Sequence, residues 1–293
     1  MFECDETLDQ ARARNIRDAL AEDIGRGDWT ARLVPADERV QARVVVREPA
    51  VLCGRDWFDG CLKALDAGAR LDWQHAEGAA LPAGSTVCRI DADARALLTA
   101  ERPALNFLQL LSATATATRA HVDAIAGVTA LRRNASGGCA ILDTRKTLPG
   151  LRQAQKYAVR TGGGANQRLA LWDGILIKEN HIAAAGGVTQ ALRNAQALHA
   201  GVEVQIEVET LAQLREALDA GARSILLDNF SLPQLHEAVA LTDARALLEA
   251  SGSVRIEQLR EIAASGVDRI SIGALTKDVR AIDFSMRIVA AAP

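Results

Sequence analysis

Apolar positions recur along this chain with two periods. Over residues 9–24, Ala11, Ile16, Ala19 and Leu20 fall on one helical face. The glycines of residues 23–30 (DIGRGDWT) end that pattern. Residues 40–46 (VQARVVV) are rich in β-branched side chains and predict a strand. Residues 57–65 predict a helix, and residues 71–90 two short strands around the turn signal Leu81-Pro82-Ala83-Gly84. Over residues 97–125, Leu98, Leu105, Leu108 and Leu111 keep helical spacing. Pro103 suits a helix start, so this long helix is expected to restart there. The alternation of Thr114, Thr116 and Thr118 with alanine reads as close packing. The first third therefore mixes helices and strands without a repeat.

From residue 128 onward the pattern becomes regular. Apolar runs stop near Arg145, Lys178, Glu207, Asp228, Ser251 and Gly273, the last four separated by 21, 23 and 22 residues. Amphipathic stretches at 210–220, 232–241 and 256–264 lie between them, and Gly221 and Gly266 stand where a helix C-terminus wants glycine. Such alternation predicts a parallel sheet, open or closed into a barrel, with chemistry at the carboxyl ends of the strands.

Charge singles out one stretch. The chain of 293 residues has a net charge of −3, so it carries no general excess of cation. Yet Arg145, Lys146, Arg152, Arg168 and Lys178 cluster at strand ends, in loops or at a helix start. That predicts a site for a ligand bearing several negative charges. Glu207 and Asp228, one repeat apart, either neutralise those cations or hold a hard, oxygen-liganded ion such as magnesium. The loops at residues 251–253 and 273–275 are candidate phosphate cradles or plain turns. Gly162 to Gly164 are a hinge or a close approach to ligand, and His181 is expected to steady the turn after Lys178. A lysine at a strand end also suits a Schiff-base enzyme, but the surrounding cations favour anion binding.

Other signals exclude classes. A pI near 6.0 and 3% aromatic residues argue against nucleic acid as a partner. No apolar run approaches the roughly 20 residues of a membrane span, and the first ten residues do not form a signal peptide. Five cysteines without a CxxC pair suit reduced thiols and a cytoplasmic location, with Cys139 a structural thiol.

The segments DTRKT-PGLR (Asp143 to Arg152), GGG-N-R (Gly162 to Arg168) and LIKENH (Leu176 to His181) resemble, in order and spacing, those of the quinolinate phosphoribosyltransferases. The resemblance runs from about Ile16 to Met286. It implies an N-terminal α/β sandwich (1–114), a seven-stranded open α/β barrel (115–275) of the type II phosphoribosyltransferase fold, and a C-terminal segment (276–293) returning to the first domain. It implies transfer of phosphoribosyl from phosphoribosyl pyrophosphate to quinolinate with decarboxylation, giving nicotinate mononucleotide, and a need for Mg2+. Lys146, Lys178, Glu207 and Asp228 would be catalytic. Arg102, Thr144, Arg145, Lys146, Arg152, Gln167, Arg168 and Lys178 would address quinolinate carboxylates and nearby phosphate. Glu207 and Asp228 would meet ribose hydroxyls and magnesium. Ser251, Gly252, Ser253, Ile272, Gly273 and Ala274 would hold the 5-phosphate. A homodimer is implied, Arg102 of the motif Glu101-Arg102-Pro103-Ala104-Leu105-Asn106 reaching the neighbouring site. One departure stands out: the family commonly has histidine where this chain has Gln167.

Overall fold

The computed structural model describes residues 6–130 and 138–291; Cys4 lies outside them. In chain order the elements are α1 (Leu8–Ile24), β1 (Arg39–Val46), β2 (Ala50–Val51), α2 (Arg55–Leu65), β3 (Arg70–Trp73), β4 (Ala80–Leu81), β5 (Thr86–Asp93) and α3 (Ala94–Ile125). There follow β6 (Ala140–Leu142), α4 (Arg152–Thr161), β7 (Ile175–Ile177), α5 (Glu179–Ala185), α6 (Val188–Ala197), β8 (Val204–Val208), α7 (Leu211–Asp219) and β9 (Ser224–Asp228). The chain ends with α8 (Leu232–Thr242), β10 (Leu247–Ser251), α9 (Leu259–Ala264), β11 (Arg269–Ser271), α10 (Ala274–Lys277) and β12 (Phe284–Ala291). Two compact units result: residues 1–117, 147–163 and 276–293 form one, and 118–146 with 164–275 the other.

The first unit is built on a sheet of order β12-β1-β5-β3. Strand β1 buries every second side chain, and it pairs antiparallel with both β5 and β12. Its apolar face shares a core with Trp57 and Phe58 of α2 and with Leu97, Leu105, Leu108 and Leu111 of α3. Pro103 lies inside α3, and the helix does not restart there. Buried Leu97 and Ala100 before it, and Ala104 and Leu105 after it, hold both halves against one core despite the missing N–H. Small hydroxyls fasten β2 and the residues after it to this helix: Val51 N donates to Thr116 Oγ1 at 2.8 Å and Cys53 N to Ser112 Oγ at 3.0 Å. Segment 147–163, which lies inside the expected range 115–275, clusters with this unit. Its helix α4 buries Ala154 and Ala158 in the same core and sets the Tyr157 ring 5.4 Å from Trp57.

The second unit holds the parallel sheet, of order β6-β11-β10-β9-β8-β7. Strands such as β9 (SILLD) are buried almost throughout, as a sheet covered on both faces requires. Six strands are assigned among the described residues, and a lone parallel bridge from Leu142 to Ala165 adds one more neighbour to β6. Connecting helices are capped from the sequence: Thr210 accepts from Gln213 N, and Ser231 and Gln234 form a capping box. The expected helix at 256–264 begins instead as a 3-10 turn, Ile256–Gln258, before α9. Among the described residues no helix is long and apolar enough to cross a membrane.

Candidate functional site

At the carboxyl ends of the parallel strands lies a cavity of about 280 Å³. The loop after β6 brings Thr144, Arg145 and Lys146 to it. The segment before β7 brings Gln167 and Arg168, and Lys178 follows β7 directly. Its floor comes from strand alternation. Glu207 on β8 and Glu249 on β10 both pair in register with Leu226 on β9, so the two carboxyls flank that leucine on one face. Asp228, two residues beyond Leu226, keeps that face one pleat nearer the strand end, level with Ser251.

Four cationic side chains thus line the cavity against two carboxyls. Lys178 Nζ lies 3.0 Å from Glu207 Oε2. Arg168 Nη1 donates to Gly174 O at 2.9 Å, while its Nε is buried without a hydrogen-bond partner. Burial, and then the charge of Arg145, hold the Arg168 guanidinium below its ordinary pKa. Burial pushes the Glu249 carboxyl up, against an opposing bond from Gln205. An anion in the cavity would relieve the Arg168 perturbation, because an opposite charge restores the charged guanidinium.

The frame around these groups is rigid and local. Asp143, fully buried, accepts from Asn166 Nδ2 at 2.6 Å and from Gln167 N at 2.9 Å. This carboxylate fixes the approach to Arg168. Thr144 Oγ1 accepts from Lys146 N at 3.1 Å, and His181 Nδ1 accepts from Lys178 N at 3.0 Å, so His181 steadies the turn. Space is tight at two glycines. A Cβ on Gly273 would stand 3.0 Å from Lys146 Cδ, and one on Gly252 only 2.5 Å from Asn229 Oδ1.

Of the residues expected from sequence, the structure brings Thr144, Arg145, Lys146, Gln167, Arg168, Lys178, Glu207 and Ser251 to one cavity. Gly252 and Ser253 follow β10, and Ile272, Gly273 and Ala274 follow β11. Arg102 and Arg152 belong to the first unit. There Arg152 Nε donates to Thr147 Oγ1 at 3.2 Å, and Arg102 lines a separate cavity of about 410 Å³ with Asp18, Glu22 and Asn106. Sequence reasoning missed Gln205, which buries its amide on the face of β8 that carries Glu207; spacing by two was the available signal.

Lys178 is engaged with Glu207 among other cations, which leaves the Schiff-base reading without support. The Cys139 thiol is half-buried and pushed by burial to about 12, as suits a structural cysteine. No cluster of three or more metal-ligating side chains occurs among the described residues. Glu207 and Asp228 nevertheless fit a magnesium ion that takes its remaining ligands from a bound polyphosphate, because that ion commonly uses one or two carboxylates and substrate oxygens.

Known proteins resemble this chain over most of its length. Residues 114–287 match the family described as quinolinate phosphoribosyl transferase, C-terminal domain, and residues 28–112 its N-terminal domain. A nicotinate-nucleotide pyrophosphorylase [carboxylating] of Mycobacterium leprae is 43% identical over 281 residues, covering 92% of this chain and 95% of that protein. A probable enzyme of the same name from Bacillus subtilis is 38% identical over 268 residues, covering 91% of this chain and 90% of that one. The structure of the nicotinate-nucleotide pyrophosphorylase from Francisella tularensis superposes with a TM-score of 0.90 at 40% identity, over 97% of each chain.

Proposed function

The chain belongs to the quinolinate phosphoribosyltransferase family, and from that premise we propose that its strand-end cavity carries out that family's reaction. It joins quinolinate to phosphoribosyl pyrophosphate, and releases pyrophosphate and carbon dioxide to leave nicotinate mononucleotide. The observation that carries the reading is the excess of cation in the cavity, with a buried guanidinium N–H of Arg168 left unbonded.

Each residue type suits its proposed part. Arg145 and Arg168 offer planar forks to carboxylates, and Lys146 and Lys178 offer point charges beside them. Glu207 and Asp228 address the ribose hydroxyls. The turns at residues 251–253 and 272–274 offer backbone N–H groups to the 5-phosphate. Held this way, the pyridine nitrogen attacks the anomeric carbon from the face opposite the departing pyrophosphate. When the neighbouring carboxylate then leaves as carbon dioxide, the electron pair left on the ring carbon is stabilised by the adjacent quaternised nitrogen and takes up a proton from water, which gives the C–H of the product. Glu207 and Asp228 would hold magnesium, which when bound supplies positive charge to the pyrophosphate. The protein's own contribution is positioning and a preorganised positive field.

We also propose a homodimer in which Arg102 serves the neighbouring subunit's site. The motif around Arg102 supports it, as does its place in a cavity rimmed by polar side chains. Free thiols at Cys53, Cys61, Cys88 and Cys139 support a cytoplasmic location.

The test is mass-spectrometric detection of nicotinate mononucleotide from purified protein, quinolinate and phosphoribosyl pyrophosphate, with and without magnesium. Product only with magnesium is expected. A Gln167→His variant run alongside should turn over within about threefold of the natural chain, because an imidazole N–H can replace the donation that Gln167 Nε2 makes to Gln205 Oε1. Absence of product from the natural chain together with activity of the variant would mark a silenced site.

A further inference from the structure

A chain of hydrogen bonds runs beneath the cavity through residues of three separate segments of the second unit. Gln167 Nε2 donates to Gln205 Oε1 at 3.0 Å, and Gln205 Nε2 donates to Glu249 Oε2 at 2.9 Å. Gln205 is 4% exposed and Glu249 1% exposed, whereas Gln167 stands half-buried at the cavity wall. The other Glu249 oxygen, Oε1, is buried outside hydrogen-bond geometry, with the Ser271 hydroxyl as its polar neighbour.

The direction of this chain has a physical origin. An amide has one acceptor end and one donor end, and Gln205 uses both. Reversing Gln205 would place its carbonyl against the Glu249 carboxyl, which is tolerable only if that carboxyl supplies an O–H. While Glu249 acts as the acceptor, Gln205 must offer its carbonyl to Gln167, and Gln167 must turn its nitrogen inward. A buried carboxyl with an unsatisfied oxygen is costly.

We propose that Gln205 and Glu249 are positioning residues: the relay from Glu249 through Gln205 fixes how Gln167 presents its amide to the dicarboxylate substrate. The inference rests on the functional reading above and deepens it. It assigns roles to two residues that do not themselves need to touch substrate, and it explains how an uncharged glutamine serves among cations. Its orientation is set from below.

The experiment is a double-mutant cycle on the full chain, read as separate KM values for quinolinate and phosphoribosyl pyrophosphate. Gln167→Ala and Glu249→Leu should each raise the quinolinate KM about tenfold, and the double variant no further than about tenfold, because both break one relay. The KM for phosphoribosyl pyrophosphate should stay within about twofold. Glu249→Gln keeps an acceptor oxygen for Gln205 and should recover most of the lost affinity. If Glu249→Leu does not fold, Gln205→Met replaces it in the cycle. Multiplicative effects near 100-fold in the double variant would overturn the relay, as would parallel rises in both KM values or a Glu249→Gln variant no better than Glu249→Leu. A natural chain that turns over quinolinate while the effects multiply loses the relay alone. A natural chain that makes no product loses the functional reading, and the relay with it.

Discussion

Lys178 and Glu207 join the end of β7 to the face of β8 through a 3.0 Å contact, the lysine side chain 45% exposed and the glutamate 10%. The pair is asymmetric. The glutamate has lost most of its water, while the lysine keeps contact with solvent and with any ligand in the cavity. Removing the lysine therefore strands a carboxylate and removes an anion contact at once. Lys178→Met should lower kcat/KM for quinolinate by about 100-fold, the scale of losing a charge partner in a binding site. The melting temperature should fall by no more than about 3 °C, because solvent already screens half of the pair. Steady-state kinetics and a thermal melt check this. A large loss of melting temperature with unchanged kinetics would make the pair purely structural.

Gly252 occupies φ +136°, and a Cβ there would stand 2.5 Å from Asn229 Oδ1 and 3.3 Å from Asn229 Cα. Gly84 also has a positive φ, +81°, but nothing within 4 Å of its would-be Cβ. The two glycines separate conformational from steric cost. Gly84→Ala should cost about 1 kcal/mol in stability, and Gly252→Ala roughly 2–4 kcal/mol, by adding a clash to the backbone strain. Only Gly252→Ala should also raise the KM for phosphoribosyl pyrophosphate, since its loop is the proposed phosphate cradle. Denaturant melts and initial rates distinguish the outcomes.

How much of this was legible in the sequence depends on the kind of signal. Strand ends could be read because each apolar run stops at a polar residue: Asp228 and Ser251 close β9 and β10 as expected. The gathering of Arg145, Lys146, Arg168 and Lys178 followed from that rule, since parallel strands deliver their ends to one rim. The place of α4 was not legible. An amphipathic helix looks the same whichever core receives it, and the decisive contacts of Tyr157 with Trp57 and with Glu77 span about a hundred residues of sequence or nearly so. Nor was the Gln205 relay. Spacing by two puts Gln205 on the face of Glu207, but its partners come from segments 38 and 44 residues away.

Glu249 makes the pH dependence of stability testable. Its folded-state pKa is raised above the ordinary carboxyl value of 4.5, chiefly by burial. The folded protein therefore holds this proton more tightly than the unfolded chain, and its favourable contribution is full below pH 4.5. That contribution is lost as pH rises through the folded-state value, so at neutral pH the ionised carboxylate weakens the fold. Glu249→Gln removes the titration. The variant should melt higher than the natural chain at pH 8, and the advantage should shrink as pH is lowered toward 4.5. Melts across that range check it. An advantage independent of pH would mean that Glu249 does not titrate there.

Arg102 supplies a test of the proposed dimer. It lies on α3 in the first unit, beside Asn106 in a cavity that also includes Asp18 and Glu22. If it completes the neighbouring subunit's site, Arg102→Ala and Lys178→Met damage different sites within a mixed dimer. One site of that dimer receives both defects and the other receives neither. Random mixing makes half the dimers mixed, each with one intact site, so combining two nearly inactive variants should restore roughly a quarter of the natural activity. The variants are purified separately, unfolded and refolded together, and assayed against each refolded alone. If Arg102 serves its own subunit's site, every site in the mixture carries one defect and activity stays at the level of the separate variants.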